Sequence, residues 1–158
     1  MRLEGKVALI SGAARGMGAE EARIFAREGA KVIIGDISEE EGKAVEAQIS
    51  EAGGQALFVH LDVTKEADWT EAVGLAVARY GKLDVLVNNA GISSRAFADD
   101  TGVAAWDKIM EVNSKGVFLG TMAAIPEMLK AGGGSIVNIS SIMGLVGSAG
   151  GHPAYNAS

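Results

Sequence analysis

Lys6 to Gly18 reads Lys-Val-Ala-Leu-Ile-Ser-Gly-Ala-Ala-Arg-Gly-Met-Gly, and no other stretch restricts the fold of this chain as strongly. Val7 to Ile10 form a short apolar run suited to a buried strand. Gly12, Gly16 and Gly18 then space a tight turn before helix-forming residues begin at Ala19. Glycine at position 12 lets the chain turn sharply off the strand. The missing Cβ atoms at Gly16 and Gly18 let backbone N–H groups and a helix N-terminus approach a pyrophosphate. An ordinary strand-to-helix turn explains the pattern too, because Gly-x-x-x-Gly-x-Gly departs from the commonest dinucleotide fingerprint and the chain holds 22 glycines.

The rest of the chain repeats this strand-to-helix rhythm. Ala22, Phe25 and Ala26 recur at helical spacing, Gly29 closes the helix, and Lys31 to Asp36 make a second strand ending on a carboxylate. Ser38-Glu39-Glu40-Glu41 has the capping-box pattern, Val45, Ile49 and Ala52 supply an inward stripe, and Gly53-Gly54 stops it. A third strand fits Ala56 to Leu61, after which Thr64 is placed to cap a helix with Trp69, Val73, Ala76, Val77 and Tyr80 on one face. Leu83 to Val87 predict a fourth strand that leads into Asn88-Asn89-Ala90-Gly91. Helical patterning resumes from Thr101 through Trp106, Ile109 and Met110. A longer helix is expected from near Asn113 to Lys130, kinked by Pro126. Gly132 to Gly134 end it, Ser135 to Ser140 predict a fifth strand, and Ser141 to Ser158 read as a loop bearing Gly144, Gly147, Gly150 and Gly151, with Tyr155 near its end.

Alternation of continuous apolar strands with helices, without hairpin signals, predicts an α/β fold: a doubly wound parallel sheet with helices on both faces. Right-handed crossovers that reverse after the third strand give the order 3-2-1-4-5, with a ligand at the carboxyl edge between strands 1 and 4. Ser11 to Gly18, Asp36, Asp62, Asn88 to Gly91 and Ser140-Ser141 all fall at such edges. No repeat or linker divides the chain, so residues 1–158 are expected to form one domain.

Composition narrows the partners. Hydrophobic residues make up 48% of the 158, with mean hydropathy +0.21, enough for one compact core. A net charge of −6 opposes binding to nucleic acid. Cysteine is absent and only His60 and His152 are present, so no metal site is expected. Met1 to Lys6 lead at once into the first strand and no apolar run reaches membrane-spanning length, so the expectation is a cytoplasmic protein without a signal peptide or membrane contact.

Several polar residues have both a binding reading and a plain one. Asp36 stands 18 residues after Gly18, where a dinucleotide fold places a carboxylate on the adenosine ribose, yet a strand-end aspartate also holds turns. Asp62 and Val63 suit the adenine, the first through its exocyclic amine and the second by apolar contact, and an Asx turn explains Asp62 almost as well. Asn88 to Gly91 fit close cofactor approach or a simple polar turn, and Asn113 fits a site residue or a satisfied core amide.

Taken together, Ser11-Gly12-x-x-x-Gly16-x-Gly18, Asn88-Asn89-Ala90-Gly91, Asn113, Ser141 and Tyr155 resemble the classical short-chain dehydrogenase/reductases along the whole chain. That resemblance implies a Rossmann fold and a nicotinamide cofactor held by Gly12, Arg15, Gly16, Met17, Gly18, Asp36, Asp62, Val63, Asn89, Ala90 and Gly91. It also implies Tyr155 as proton donor or acceptor, Ser141 as holder of the substrate oxygen, and Asn113 as keeper of a water-linked proton path. The implied reaction interconverts a small secondary alcohol and a ketone. A 3-oxoacyl-carrier reductase and a catalytically silent dinucleotide binder are the alternatives. Ser141 and Tyr155 are 14 apart, one more than is common in the family. The family's lysine belongs four residues after the tyrosine, one past Ser158, together with the last two strands and the helix that would carry Tyr155. A polypeptide ending at Ser158 is therefore expected to be inactive and aggregation-prone at its fifth strand.

Two further expectations concern cofactor and assembly. Asp36, followed by Ile37 and not a cation, favours NAD over NADP, against the contrary pull of Arg15. Val117, Phe118, Thr121, Ile125 and Met128, with Ala123 and Ala124, are more apolar than one face of a monomeric helix requires, which predicts a homo-oligomer.

Overall fold

Runs of Val, Ile and Leu set between glycines and charged residues become strands because β-branched side chains pack well on a pleated surface buried on both sides. The computed structural model describes residues 1–93, 102–147 and 152–158. In it β1 (Val7–Ser11), β2 (Lys31–Asp36), β3 (Gln55–His60), β4 (Val85–Asn88) and β5 (Ser135–Asn138) pair in parallel in the order β3-β2-β1-β4-β5. Ile10 lies opposite Ile34 on one side and Val87 on the other, so β1 is the centre of the sheet.

Side chains alternate between two cores. Ile10, Val32 and Ile34 pack with Ala19 and Ala22 of α1 (Gly16–Arg27) and with Val45 and Ile49 of α2 (Glu39–Glu51). Val7, Leu9 and Ile33 pack on the opposite face with Trp69, Ala72 and Val73 of α3 (Glu66–Tyr80) and with Ala124 and Met128 of α5 (Gly116–Lys130). Because α1 and α2 carry the chain outward on one face and α3 returns it to the far side of β1, the loops after β1 and β4 part at their carboxyl ends. A cleft must open there.

The expected fold class and strand order are therefore observed, with local corrections. Helix α1 starts at Gly16, not Ala19, which puts Gly16 and Gly18 inside its first turn. The Ser38 side chain makes no capping bond; its backbone N–H instead donates to Asp36 Oδ1 at 3.0 Å. Thr64 does not cap α3 either, because its hydroxyl donates to Asp62 Oδ1 at 2.8 Å. Ala52 is exposed beyond the end of α2. Strand β4 begins at Val85, after Leu83 and Asp84, and β5 ends at Asn138.

The long helix does not start near Asn113. Helical structure runs from α4 (Val103–Met110) through a π-helical turn (Glu111–Lys115) into α5, and Pro126 lies inside α5. Nor is the segment after Ser141 all loop: a 3₁₀ turn (Ile142–Gly144) and a short helix, α6 (Pro153–Ala157), bracket it, and α6 carries Tyr155. Thr101, Gly150 and Gly151 lie outside the described residues. On α5, Ala124 and Met128 are buried while Phe118, Met122 and Leu129 are exposed, and on the edge strand β5 Val137 is 42% exposed.

At the opposite end of the sheet Asp84, 7% exposed, ties β1 to the start of β4. Its carboxylate accepts from the Val7 N–H at 2.9 Å and from Lys6 Nζ at 3.3 Å, and Lys82 Nζ lies 2.9 Å away. Burial alone would raise the carboxyl's pKa, but the bonds from Lys82, Val7 and Lys6 outweigh it and hold the group below the ordinary aspartate value. A pKa lower in the folded state means stability that is present above the unfolded aspartate range and lost as pH falls through the folded value. Asp84→Ala is expected to cost about 2–3 kcal/mol at neutral pH. In urea unfolding the gap between parent and variant should close on acidification below the ordinary aspartate range; a gap that stays constant or widens contradicts the assignment.

Candidate functional site

The glycine turn is locked to the loop after β4. Gly12 has φ +67°, and a Cβ there would lie 2.7 Å from Ala90 Cα. A Cβ on Gly18 would lie 2.4 Å from the Gly12 carbonyl oxygen and 2.5 Å from Asn89 Nδ2. Both positions thus serve close packing within the turn, whereas Gly16, at φ +58°, has open space where its Cβ would be. Asn89 Nδ2 donates to the carbonyls of Ser11 and Gly12, each at 3.0 Å. In return, the buried Ser11 hydroxyl accepts from the N–H groups of Asn89 and Ala90, each at 3.1 Å.

What this turn presents is the bare start of α1. Arg15, the N-cap, is extended, no side chain caps the first turn, and no acidic residue stands in it. Helix α2, by contrast, has Glu39, Glu40 and Glu41 in its first turn. The exposed N–H groups and positive dipole end of α1 therefore suit an anionic group supplied from outside the chain.

Asp36 closes one side. The residue is 8% exposed; Oδ2 accepts from the Ala14 N–H at 3.0 Å while Oδ1 takes the Ser38 N–H. Asp36 thus holds its turn, and since each oxygen can accept more than one hydrogen bond it retains capacity for a ligand hydroxyl. Asp62 forms the Asx turn, with Oδ1 accepting from Thr64 N–H at 3.1 Å. Burial pushes its pKa up, but the Thr64 hydroxyl, the Thr64 N–H and Lys65 bring it below the usual carboxylate value, so an acceptor is available here at neutral pH.

These residues border a hollow of about 430 Å³ lined by Gly12, Arg15, Met17, Gly18, Asp36, Asp62 and Val63, with Asn89, Ala90 and Gly91. Gly16 stands outside this lining. A second hollow of about 330 Å³ is bordered by Asn113, Ser141 and Tyr155. The two share Met17, Asn89, Ala90, Gly91 and Ile92 as walls.

Inside the second hollow the three polar residues have distinct surroundings. Asn113 sits in the π-helical turn; its Oδ1 accepts from Ile92 N–H at 2.9 Å, and its Nδ2 donates to the Ile92 carbonyl and the Ser158 hydroxyl, each at 3.0 Å. Its amide is therefore satisfied by protein and braces the loop after β4. Ser141 Oγ accepts from Met143 N–H at 3.2 Å, capping the 3₁₀ turn. Tyr155 is half-buried, and its hydroxyl has no hydrogen-bond partner among the described residues.

The sequence model of the short chain dehydrogenase family matches residues 6–158. The chain belongs to the short-chain dehydrogenase/reductase family. A 3-alpha-(or 20-beta)-hydroxysteroid dehydrogenase of Mycobacterium tuberculosis is 56% identical over 146 residues, covering 92% of this chain and 55% of its own length. A 2,5-dichloro-2,5-cyclohexadiene-1,4-diol dehydrogenase of Sphingobium indicum is 51% identical over 149 residues, 94% of this chain and 60% of that protein. A cyclopentanol dehydrogenase of Comamonas testosteroni is 50% identical over 157 residues, 99% of this chain and 62% of that protein. The chain thus spans little more than half the length of the curated relatives it matches.

The turn, the strand-end aspartate and the Asn-Asn-Ala-Gly loop converge on one edge of the sheet. Ser140 lines the cleft at the edge where the sequence placed it, and Ile92, Leu61, Val112 and Lys108 line it without having been foreseen. Ile92 and Leu61 adjoin motif residues, a signal that was available, whereas Lys108 and Val112 arrive from helical positions that only the tertiary fold places. The close contacts rank the glycines. Gly18→Ala forces its Cβ against a backbone oxygen and should cost about 1–3 kcal/mol together with ligand binding. Gly16→Ala meets only the left-handed backbone penalty, about 1 kcal/mol. Urea unfolding of the two variants checks the order; equal stability, or a less stable Gly16→Ala, would overturn it.

Proposed function

We propose that this short-chain dehydrogenase oxidises a secondary alcohol borne on an alicyclic ring to the ketone, with NAD as cofactor. The observation that supports this most is the shared wall of the two hollows, which joins the uncapped start of α1 and Asp36 to the neighbourhood of Ser141 and Tyr155. The ring class is drawn from the names of the relatives, which act on a hydroxysteroid, a cyclohexadienediol, a hydroxycyclohexanecarboxylate and cyclopentanol.

The residues present fit a dinucleotide: first-turn N–H groups of α1 without a side-chain cap for the pyrophosphate, and a buried carboxylate with acceptor capacity for the ribose. Gly16, Met17 and Gly18 would hold the phosphates, Asp36 the ribose hydroxyls, Asp62 and Val63 the adenine, and Asn89 to Gly91 the middle of the molecule. Bound there, the nicotinamide supplies the acceptor for the hydride that leaves the carbinol carbon.

The chain's own residues handle the proton and the orientation. Since Ser141 Oγ takes the Met143 N–H on a lone pair, its hydroxyl hydrogen is left to donate to the substrate oxygen and hold it in place. Tyr155 takes the alcohol's proton in oxidation and returns one to the oxygen in reduction. A free phenol exchanges its proton readily only near pH 10, so positive charge nearby is required, and the family places a lysine four residues on. Asn113 fixes Ile92 and the end of α6 relative to one another.

Asp36 sets the cofactor preference. A 2′-phosphate about 4 Å from this carboxylate meets a repulsion on the order of 4 kcal/mol per unit charge at an effective dielectric of about 20, less with salt. Arg15 and Lys108 line the same hollow and pull the other way, but Lys108 Nζ lies 3.6 Å from Glu111 and Ile37, next to Asp36, offers no cation. Calorimetric titration should show NAD bound at least about tenfold tighter than NADP, with the difference narrowed in Asp36→Ala; equal or tighter NADP binding in the parent protein overturns the assignment.

Tyr155→Phe in the full-length protein should lower kcat by about 10²-fold or more and leave the Kd for NAD within about twofold, because the phenol acts on substrate oxygen and not on cofactor binding. Cyclopentanol and cyclohexanol should outperform open-chain alcohols of equal carbon number. Parent-level turnover in the variant removes Tyr155 from the mechanism, and a preference for open-chain substrates removes the ring class.

A further inference from the structure

The mechanism uses neither histidine; His60 is exposed, whereas His152 is 4% exposed. It is the N-cap of α6: imidazole Nδ1 accepts from Ala154 N–H at 3.1 Å, and the His152 carbonyl accepts from Tyr155 N–H at 3.0 Å. Tyr155 stands in the first turn of α6, so the cap and the packing of that turn bear on where the phenol stands. An accepting Nδ1 assigns the ring proton to Nε2, which is buried and has no partner among the described residues.

We propose that His152 is the positioning residue of Tyr155: its neutral imidazole caps the helical turn that carries the phenol, and uptake of a second proton releases that turn. The inference rests on Tyr155 as the proton-transfer residue. Protonation turns Nδ1 from acceptor into donor, opposing the Ala154 N–H, and sets a positive charge at the positive end of the helix. Helix α6 packs on α4 and on the 3₁₀ turn. The titratable groups on these elements are Asp107 and Lys108 of α4 and Tyr155 itself; the 3₁₀ turn carries none. Asp107 and Lys108 are exposed, neither pairs with His152, and Lys108 Nζ lies 3.6 Å from Glu111.

The test is the pH profile of ketone reduction by the full-length protein, a direction in which Tyr155 donates its proton and acid does not disarm it. We expect kcat to fall about fivefold or more on acidification, with KM changing less. His152→Asn, whose amide oxygen accepts from Ala154 N–H at every pH, should restore a flat profile near the parent's maximum. His152→Ala should be slower by about fivefold throughout. An acid fall that persists in His152→Asn, or parent-level rates in His152→Ala, overturns the proposal. Nitrogen-15 NMR of the imidazole decides without activity: an Nε2–H tautomer, with Tyr155 ring signals moving as His152 titrates, supports capping, whereas an Nδ1–H tautomer overturns it. Absence of turnover in the parent on every alcohol and ketone would defeat the dehydrogenase reading, while the NMR result still decides the cap.

Discussion

The cross-link between the turn after β1 and the loop after β4 is the constraint on which the site depends. Asn89 donates twice to the backbone of Ser11 and Gly12, and Ser11 accepts twice from the backbone of Asn89 and Ala90. These four bonds satisfy buried polar groups that would otherwise be orphaned where the two loops part. They also leave no room for a Cβ on Gly18, so the start of α1 is drawn against the loop and its N–H groups stay bare. The loops are held by these bonds while the start of α1 is left without a side-chain cap or an acidic residue.

Electrostatic placement reinforces that edge. Helix α2 begins with three glutamates that complement its own dipole, while α1 begins with none. Asp36 is engaged by two backbone N–H groups, one from the turn after β1 and one from the turn after β2, which orients the carboxylate before any ligand arrives. Preorganisation of this kind lowers the ordering cost of binding.

The sheet and its order were legible because the strands are continuous apolar runs and the polar motifs fall at one recurring position, the carboxyl ends. Helix boundaries were less legible. Ser38 and Thr64 looked like caps by residue type, but the structure engages them backwards: Asp36 and Asp62 accept from their N–H groups, and the Thr64 hydroxyl donates to Asp62. The π-helical turn at Asn113 carries no distinctive periodicity, since it is the bonds from Asn113 to Ile92 and Ser158 that accompany it. Helix α6 was hidden behind glycines, although Pro153 at its first position, with His152 before it as cap, is a start signal. Lys108 and Val112 reach the cleft by tertiary packing, which no local pattern announces.

The central claim is that one continuous cleft holds a dinucleotide at one end and brings it to Tyr155 at the other. A crystal structure of the full-length protein with NAD tests this most directly. The account predicts the pyrophosphate against the N–H groups of Gly16 to Gly18, the adenosine ribose on Asp36 and the nicotinamide in the hollow bordered by Ser141 and Tyr155. A dinucleotide bound with its ends reversed, or bound outside this cleft, would contradict it.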